Sequence, residues 1–304
     1  MKLGVLPPFA AGAITDPVYL KEFAQAVESA GAESLWTVEH VVVAEHYEPL
    51  YPYSADGRMP GQDTGVVMPD PLHLLSFVGA HTSALKLGTC VVVAAFHSAA
   101  ILAKRCATLD ALSGGRLMLG VGIGWQKEEY DAVGVPYADR GRRLDEVIDA
   151  MRALWDPGPS TFEGRYQSFR DVHCDTKPVQ PGGVPIVIGG NSEAAARRAG
   201  VRGNGWFPYV IAPDIFRQRA DLVRRTAADA GRDPDAIEIT VWPGSFAPAG
   251  TFDLALVRAY VAAGARRLVV AAHESASTDP SAVVRFLKRY QEDVIARVSP
   301  SAQA

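Results

Sequence analysis

The segment Ser34-Leu-Trp-Thr-Val-Glu-His40 is a short apolar run that ends in an acid and an imidazole. A carboxylate and an imidazole at a strand end are suited to moving a proton, because the imidazole exchanges it and the carboxylate orients the ring. We therefore predict that His40 is a catalytic proton donor or acceptor and that Glu39 orients it. The alternative is that His40 only hydrogen-bonds a bound ring.

Two glycine-rich segments follow other apolar runs, Gly122-Ile123-Gly124 and Gly189-Gly190-Asn191-Ser192. Backbone without side chains lets N–H groups approach phosphate oxygens, and a helix beginning just after Ser192 adds partial positive charge. We predict that both segments bind a phosphorylated cofactor. The spacing of Gly120, Gly122 and Gly124 does not match G-x-G-x-x-G, so a tight turn at that strand end is the alternative.

Metal and hydrolytic sites are less well supported. Glu39, His40, His97 and His273 could converge on a metal, but no i,i+4 pair supports this, and we expect no metal site. Ser192 lacks the second glycine of a nucleophile elbow, so capping of the following helix is the expected role of that serine.

Composition excludes several classes of protein. The formal net charge of the 304 residues is −4 and the basic residues are scattered, which is not the footprint of a nucleic-acid-binding protein. No apolar run approaches the roughly 18 residues of a membrane span, and the first residues do not resemble a signal peptide. An odd number of cysteines without a C-x-x-C pair favours a reducing compartment. We expect a soluble, cytoplasmic protein whose three cysteines are unpaired: Cys90, Cys106 and Cys174.

The chain alternates short β-type runs with amphipathic helical patterns, which predicts one (β/α)8 TIM barrel domain over residues 1–304. A doubly wound sheet is the alternative, but its glycine fingerprint would follow the first strand, where this chain has Pro7 and Pro8. The predicted strands cover residues 2–6, 35–38, 87–93, 117–121, 186–188, 205–207, 237–242 and 268–271.

Three stretches depart from this alternation. Residues 41–69 have no sustained period and predict a long, aromatic-rich loop, and residues of about 156–184 predict an inserted hairpin with flanking coil. A polar segment follows Trp125, before a helix predicted from about Asp139 to Trp155.

Sites in such barrels lie at the carboxyl ends of the strands. Those ends are rich in glycine and aromatic residues and poor in charge, which suits a flat heterocycle and an apolar substrate. The predicted walls of the substrate pocket are Phe96, Trp125, Phe207 and Tyr209.

Residues 107–125, 141–146, 162–166 and 185–192 carry motifs that resemble the luciferase-like monooxygenase superfamily; among them are Ser113-Gly-Gly-Arg-Leu-Met-Leu-Gly-Val-Gly-Ile-Gly-Trp125 and Pro185-Ile-Val-Ile-Gly-Gly-Asn-Ser192. Residues 36–43, 51–54 and 57–61 are similar to a branch of coenzyme F420-dependent oxidoreductases. The resemblance implies a (β/α)8 barrel, a deazaflavin or flavin at the carboxyl ends, a small-molecule substrate and a homodimer.

The resemblance also implies roles for particular residues. Glu39-His40 corresponds to an Asp-His pair beside the reacting face of F420-dependent sugar and alcohol dehydrogenases. Cys90-Val91 corresponds to a pair that is joined by a non-proline cis peptide and lies against the cofactor ring, and residues 189–192 correspond to the phosphate loop. Trp125 stands where those dehydrogenases have a second acid, which argues against a sugar-phosphate substrate.

The expected function is therefore hydride transfer between coenzyme F420 and a small, largely apolar organic substrate. An FMN-dependent luciferase-like monooxygenase that activates O₂ is the first alternative. A non-catalytic cofactor-binding protein is the second.

Overall fold

The computed structural model describes residues 1–60, 67–243 and 252–298. The barrel is formed by parallel strands β1 (Lys2–Leu6), β2 (Ser34–Thr37), β3 (Lys86–Thr89), β4 (Val92–Val93), β5 (Leu117–Gly122), β8 (Ile186–Gly189), β9 (Gly205–Phe207), β10 (Glu238–Val241) and β11 (Arg267–Ala271). Pairing of Leu3 with Leu268 and of Leu87 with Leu117 closes it. β3 and β4 both pair with β5 and together form one strand of the barrel, which therefore has eight strands. The predicted (β/α)8 fold is confirmed.

The helices, in chain order, are α1 (Pro17–Ser29), α2 (Pro71–His81), α3 (Ala99–Ser113), α4 (Lys127–Ala132), α5 (Arg140–Trp155), α6 (Glu193–Arg202), α7 (Pro213–Asp229), α8 (Leu254–Ala262), α9 (Pro280–Tyr290) and α10 (Ala296–Val298). A π-helical segment, Gln291–Ile295, joins the last two. Asp16 and Asp70 cap α1 and α2 through backbone N–H groups, each before a proline in the first turn. Within the described ranges, no helix is long and apolar enough to cross a membrane.

Helix α4 corrects the prediction of an irregular polar segment after Trp125. Its buried residues are Glu129 and Tyr130, which are adjacent in sequence. A helix that buries one acid and one tyrosine has no apolar repeat to reveal it.

Two stretches interrupt the alternation of strands and helices. Strands β6 (Ser160–Glu163) and β7 (Ser168–Val172) form an antiparallel hairpin inside the insertion. Residues 38–60 of the long loop carry neither helix nor strand, whereas residues 61–66 lie outside the described part of the chain. The predicted third strand is divided into β3 and β4 at Cys90 and Val91.

Aromatic side chains fill the barrel interior. The ring of Trp36 packs edge-on against Phe207, with centroids 5.2 Å apart, and both side chains are buried. Glycines on the neighbouring strands make room for this indole: a Cβ at Gly4 or Gly88 would lie 2.7 or 2.4 Å from Trp36 atoms. The packed interior leaves the strand ends as the place for a site.

Candidate active site

Glu39 lies just beyond the carboxyl end of β2, and its carboxylate is bound within the protein. One oxygen accepts the N–H of Val93 at 2.7 Å, and the other lies 3.0 Å from Nε2 of His97. Glu39 is 7% exposed. The carboxylate therefore orients His97 and fixes the start of the segment after β4.

His40 has a different partner from the predicted one. Its Nδ1 lies 3.0 Å from Oε2 of Glu129, which is on α4. Neighbouring residues of an extended chain project to opposite sides, which explains why Glu39 and His40 turn to separate partners. The expectation that Glu39 orients His40 was wrong: Glu129 holds that ring.

Sequence reasoning missed Glu129 and gave His97 no role in the site. The strand-end argument covered residues 122–125, and Glu129 lies one helical turn farther along the chain. The available signal was an acid pair, Glu128-Glu129, soon after a buried strand. Glu129 also supplies a second acid near His40, although Trp125 occupies the position where the resemblance suggested one.

The Cys90–Val91 peptide is cis, as the resemblance implied. The Val91 side chain lies between the ends of β5 and β8, where a Cβ at Gly122 or Gly189 would come within 2.6 or 2.4 Å of it. Those two glycines are thus required by packing against Val91. Burial of the sulfur raises the pKa of the Cys90 thiol, so this partly buried cysteine is a poor nucleophile.

The Gly189–Ser192 loop leads into α6. Gly190 has φ +112°, which favours glycine, and Ser192 caps the helix by accepting the N–H of Ala195 at 3.1 Å. The Asn191 amide accepts the N–H of Tyr209 at 2.9 Å and donates to the carbonyl of Tyr209 at 2.6 Å. The side chains of Asn191 and Ser192 are thus already hydrogen-bonded within the protein. An anionic ligand would bind the backbone N–H groups at the start of α6, because N–H groups in the first turn of a helix have no carbonyl of their own helix to bond. This arrangement fits a cofactor phosphate.

The segment Ile123–Trp125 is hydrogen-bonded by two tyrosine hydroxyls. The hydroxyl of Tyr130 donates to the carbonyl of Ile123, and that of Tyr137 donates to the carbonyl of Trp125 at 2.9 Å. Gly124 has φ +63°. The segment is therefore a turn that fixes the position of the Trp125 ring.

Rings from the long loop lie against the strand ends. Trp125 contacts His40, Tyr47 and Tyr51, with centroids 6.1, 5.0 and 5.2 Å away. Tyr209 contacts Tyr53 and Trp242, both at 4.9 Å. We call this group the aromatic mouth; its members are Tyr47, Tyr51, Tyr53, Trp125, Tyr209 and Trp242.

The aromatic mouth carries no formal charge at neutral pH. Burial raises the pKa of Tyr53 to about 12 and raises that of Tyr209 further, so both hydroxyls stay protonated. Of the predicted pocket walls, the structure brings Trp125 and Tyr209 into the mouth. Phe207 lies in the barrel interior on Trp36, and Phe96 packs on Tyr130 at 4.5 Å.

The sequence profile of the family described as luciferase-like monooxygenase matches residues 1–293, and the chain belongs to that family. An uncharacterised protein of Mycobacterium tuberculosis is 32% identical over 222 residues, which cover 73% of this chain and 76% of that protein. An F420-dependent glucose-6-phosphate dehydrogenase of Nocardia farcinica is 33% identical over 223 residues, 71% of this chain and 65% of that enzyme.

Among solved structures, the monooxygenase RslO1 from Streptomyces bottropensis superposes with a TM-score of 0.76. The superposition covers 98% of this chain and 100% of that protein, at 20% identity. Identity this low supports a shared fold and carries no information about substrate.

Proposed function

We propose that the protein is an F420-dependent oxidoreductase that transfers a hydride between the deazaflavin and a small, neutral, largely apolar organic molecule. The observation that carries this proposal is the position of His40, whose ring is held by a buried acid and packs against Trp125 of the uncharged aromatic mouth. Hydride transfer to a carbonyl or enone needs one proton donor beside an otherwise apolar pocket.

The choice of cofactor is supported by the relative from Nocardia farcinica, which is F420-dependent, and by the fit of the Gly189–Ser192 loop to a phosphate. The deazaflavin would supply or accept the hydride. The residues of this chain would do the rest: backbone N–H groups at the start of α6 would hold the phosphate, and Val91 would contact the ring.

His40 would handle the proton. Because its Nδ1 is bound to Glu129, Nε2 is the nitrogen that remains for a substrate oxygen. The doubly protonated ring would donate the Nε2 proton to the alkoxide or enolate that forms as the hydride arrives, and the neutral ring would accept the corresponding proton at Nε2 in the opposite direction.

The proposed substrate differs from that of the Nocardia enzyme. A sugar phosphate is highly polar and needs cationic side chains and many hydrogen bonds. The rings of the aromatic mouth instead suit a flat or apolar neutral molecule.

Two measurements test the proposal. Titration of the purified protein with F420 and separately with FMN, followed by fluorescence, should give tight binding of F420. Reduced F420 should then be oxidised in a single turnover by at least one member of a panel of neutral ketones, aldehydes and enones.

The His40→Gln variant should slow that turnover by ~10²–10⁴-fold with the Kd for F420 unchanged. His73→Gln is the matched control, because the His73 side chain is 80% exposed on α2. A rate in His40→Gln equal to the parent rate at every pH would contradict the role of His40.

An FMN-dependent monooxygenase is the second candidate, favoured by membership of the family described as luciferase-like monooxygenase. Binding of FMN without binding of F420, with O₂ consumed when the bound flavin is reduced, would establish it instead.

A further inference from the structure

Glu129 is a buried acid with contacts in two directions. It is 1% exposed, and Oε2 lies 3.0 Å from Nδ1 of His40. The other oxygen, Oε1, accepts the backbone N–H groups of Val41 at 2.6 Å and Val42 at 3.4 Å. One carboxylate thus binds both the ring of His40 and the backbone immediately after it.

The same helical turn holds more of the loop. Oε1 of Gln126 accepts the N–H of Ala44 at 3.5 Å, and Oε1 of Glu128 accepts the N–H of Glu48 at 3.1 Å. Side chains at the start of α4 therefore supply acceptors for loop backbone that has no sheet or helix to bond. This is the loop that carries Tyr47 and Tyr51 into the aromatic mouth.

We propose that Glu129 is a positioning residue that fixes the tautomer and direction of the His40 ring and ties them to the docked state of residues 41–48; its catalytic consequence rests on the function proposed above. A carboxylate only accepts hydrogen bonds, so the hydrogen of neutral His40 resides on Nδ1 and Nε2 is the free acceptor. Glu39 does not serve instead: its oxygens bind the N–H of Val93 and Nε2 of His97.

The groups around Glu129 fix how a glutamine would be oriented at this position. Over the described residues, no arginine or lysine nitrogen lies within 4.0 Å of its carboxylate. In Glu129→Gln the amide orientation is dictated by Val41 and Val42, whose N–H groups require the amide oxygen. The NH₂ group must then face His40, where it can only donate.

The Glu129→Gln variant should therefore move the hydrogen of neutral His40 from Nδ1 to Nε2. ¹⁵N NMR of histidine-labelled protein distinguishes the two tautomers directly, at a pH above the ordinary histidine range. His40→Gln assigns the resonance. This NMR measurement needs neither cofactor nor substrate.

Single-turnover hydride transfer should fall on the order of 10- to 100-fold in Glu129→Gln, the scale found when outer partners of functional imidazoles are replaced. The Kd for F420 should not change. Glu128→Gln is the matched control: it lies on the same turn and contacts the same loop, but it does not touch His40. Its rate should stay near that of the parent.

A ring that remains protonated at Nδ1 in Glu129→Gln overturns the inference, and so does a rate loss no larger than that of Glu128→Gln. The proposed function is tested separately by the binding of F420 to the parent protein and its oxidation there. If neither occurs, the function fails and the tautomer alone decides the role of Glu129.

Discussion

Both ends of the barrel hold carboxylates, partly buried at the amino end and buried at the carboxyl end, and they are compensated differently. At the amino end, the guanidinium of Arg267 is 2% exposed and bonds both oxygens of Glu33, at 2.8 and 2.9 Å, as well as Glu238. At the carboxyl end, Glu39 and Glu129 are bound to imidazoles and N–H groups, and Glu274 accepts the indole N–H of Trp242 at 3.0 Å and the N–H of Ala271. One end uses a permanent cation, and the other uses imidazoles and neutral N–H donors.

The pKa shifts of Glu33 and Glu274 have opposite signs for this reason. Burial alone would raise the pKa of Glu33, but the hydrogen bonds and charge of Arg267 outweigh it and hold that pKa below the ordinary 4.5. Burial raises the pKa of Glu274, and hydrogen bonds from Ala271 and Trp242 offset this only in part. A fixed counter-charge stabilises the fold, whereas neutral donors leave protonation adjustable, which a proton-transferring site needs.

The largest expected effect is at the amino end. Arg267→Met should lower the free energy of unfolding by about 3 kcal/mol, because the partly buried carboxylates of Glu33 and Glu238 would lose the buried guanidinium and keep only the Lys2 amine as a cation. Urea unfolding measures this. Arg266→Met is the matched control, since Arg266 is adjacent and exposed, and it should change the value by less than about 0.5 kcal/mol. A loss below about 1 kcal/mol in Arg267→Met would mean that the network is no stronger than a surface ion pair.

The second-largest expected effect is a loss of stability in Glu33→Gln that depends on pH. The lowered pKa of Glu33 gives stability that is complete above 4.5 and is lost as the pH falls through the folded-state pKa. Glu33→Gln should therefore be less stable than the parent near neutral pH by about 1.5–3 kcal/mol, the scale of a hydrogen bond to a charged group. The difference should shrink at acid pH, as the pH falls below 4.5. Equal stability deficits at both pH values would refute the electrostatic explanation.

The smallest expected effect is a gain of stability in Glu274→Gln, opposite in sign to the loss in Glu33→Gln. With its pKa raised, Glu274 binds its proton more tightly in the folded state, so its contribution is full below 4.5 and is lost as the pH rises through the folded-state pKa. Glu274→Gln keeps an acceptor for Trp242 and Ala271, and it should stabilise the protein near neutral pH by less than about 1.5 kcal/mol. Thermal unfolding at acid and neutral pH checks this, and a gain that is larger at acid pH would contradict it.

The barrel was predictable because its signal is local. Leu20, Phe23, Ala24 and Val27 repeat at helical spacing in the sequence and are all buried in α1. The caps of α1 and α2 were predictable for the same reason, because an aspartate followed by proline acts within one turn. Helix α4 was missed because its buried positions are not apolar.

The site was predictable only residue by residue. His40 and the Gly189–Ser192 loop could be selected because strand ends define the active face of a barrel. The partners of these residues could not be selected from the sequence. Glu129 is 89 positions from His40, and the contact depends on how α4 packs against the loop. The same holds for Tyr51 and Tyr53, whose positions over Trp125 and Tyr209 follow from a loop without periodicity.

The space that Gly4 and Gly88 leave for Trp36 constrains how this sequence can diverge. A side chain at either glycine collides with the indole, so neither position can change first while the tryptophan remains. Loss of the indole would leave a cavity that only larger residues at those positions could fill. Gly88→Ala should therefore be deleterious in the parent sequence and become neutral or beneficial once Trp36 has been replaced by a smaller residue. At Gly4 the gain is limited, because an added Cβ would also lie 2.8 Å from the Ser34 hydroxyl.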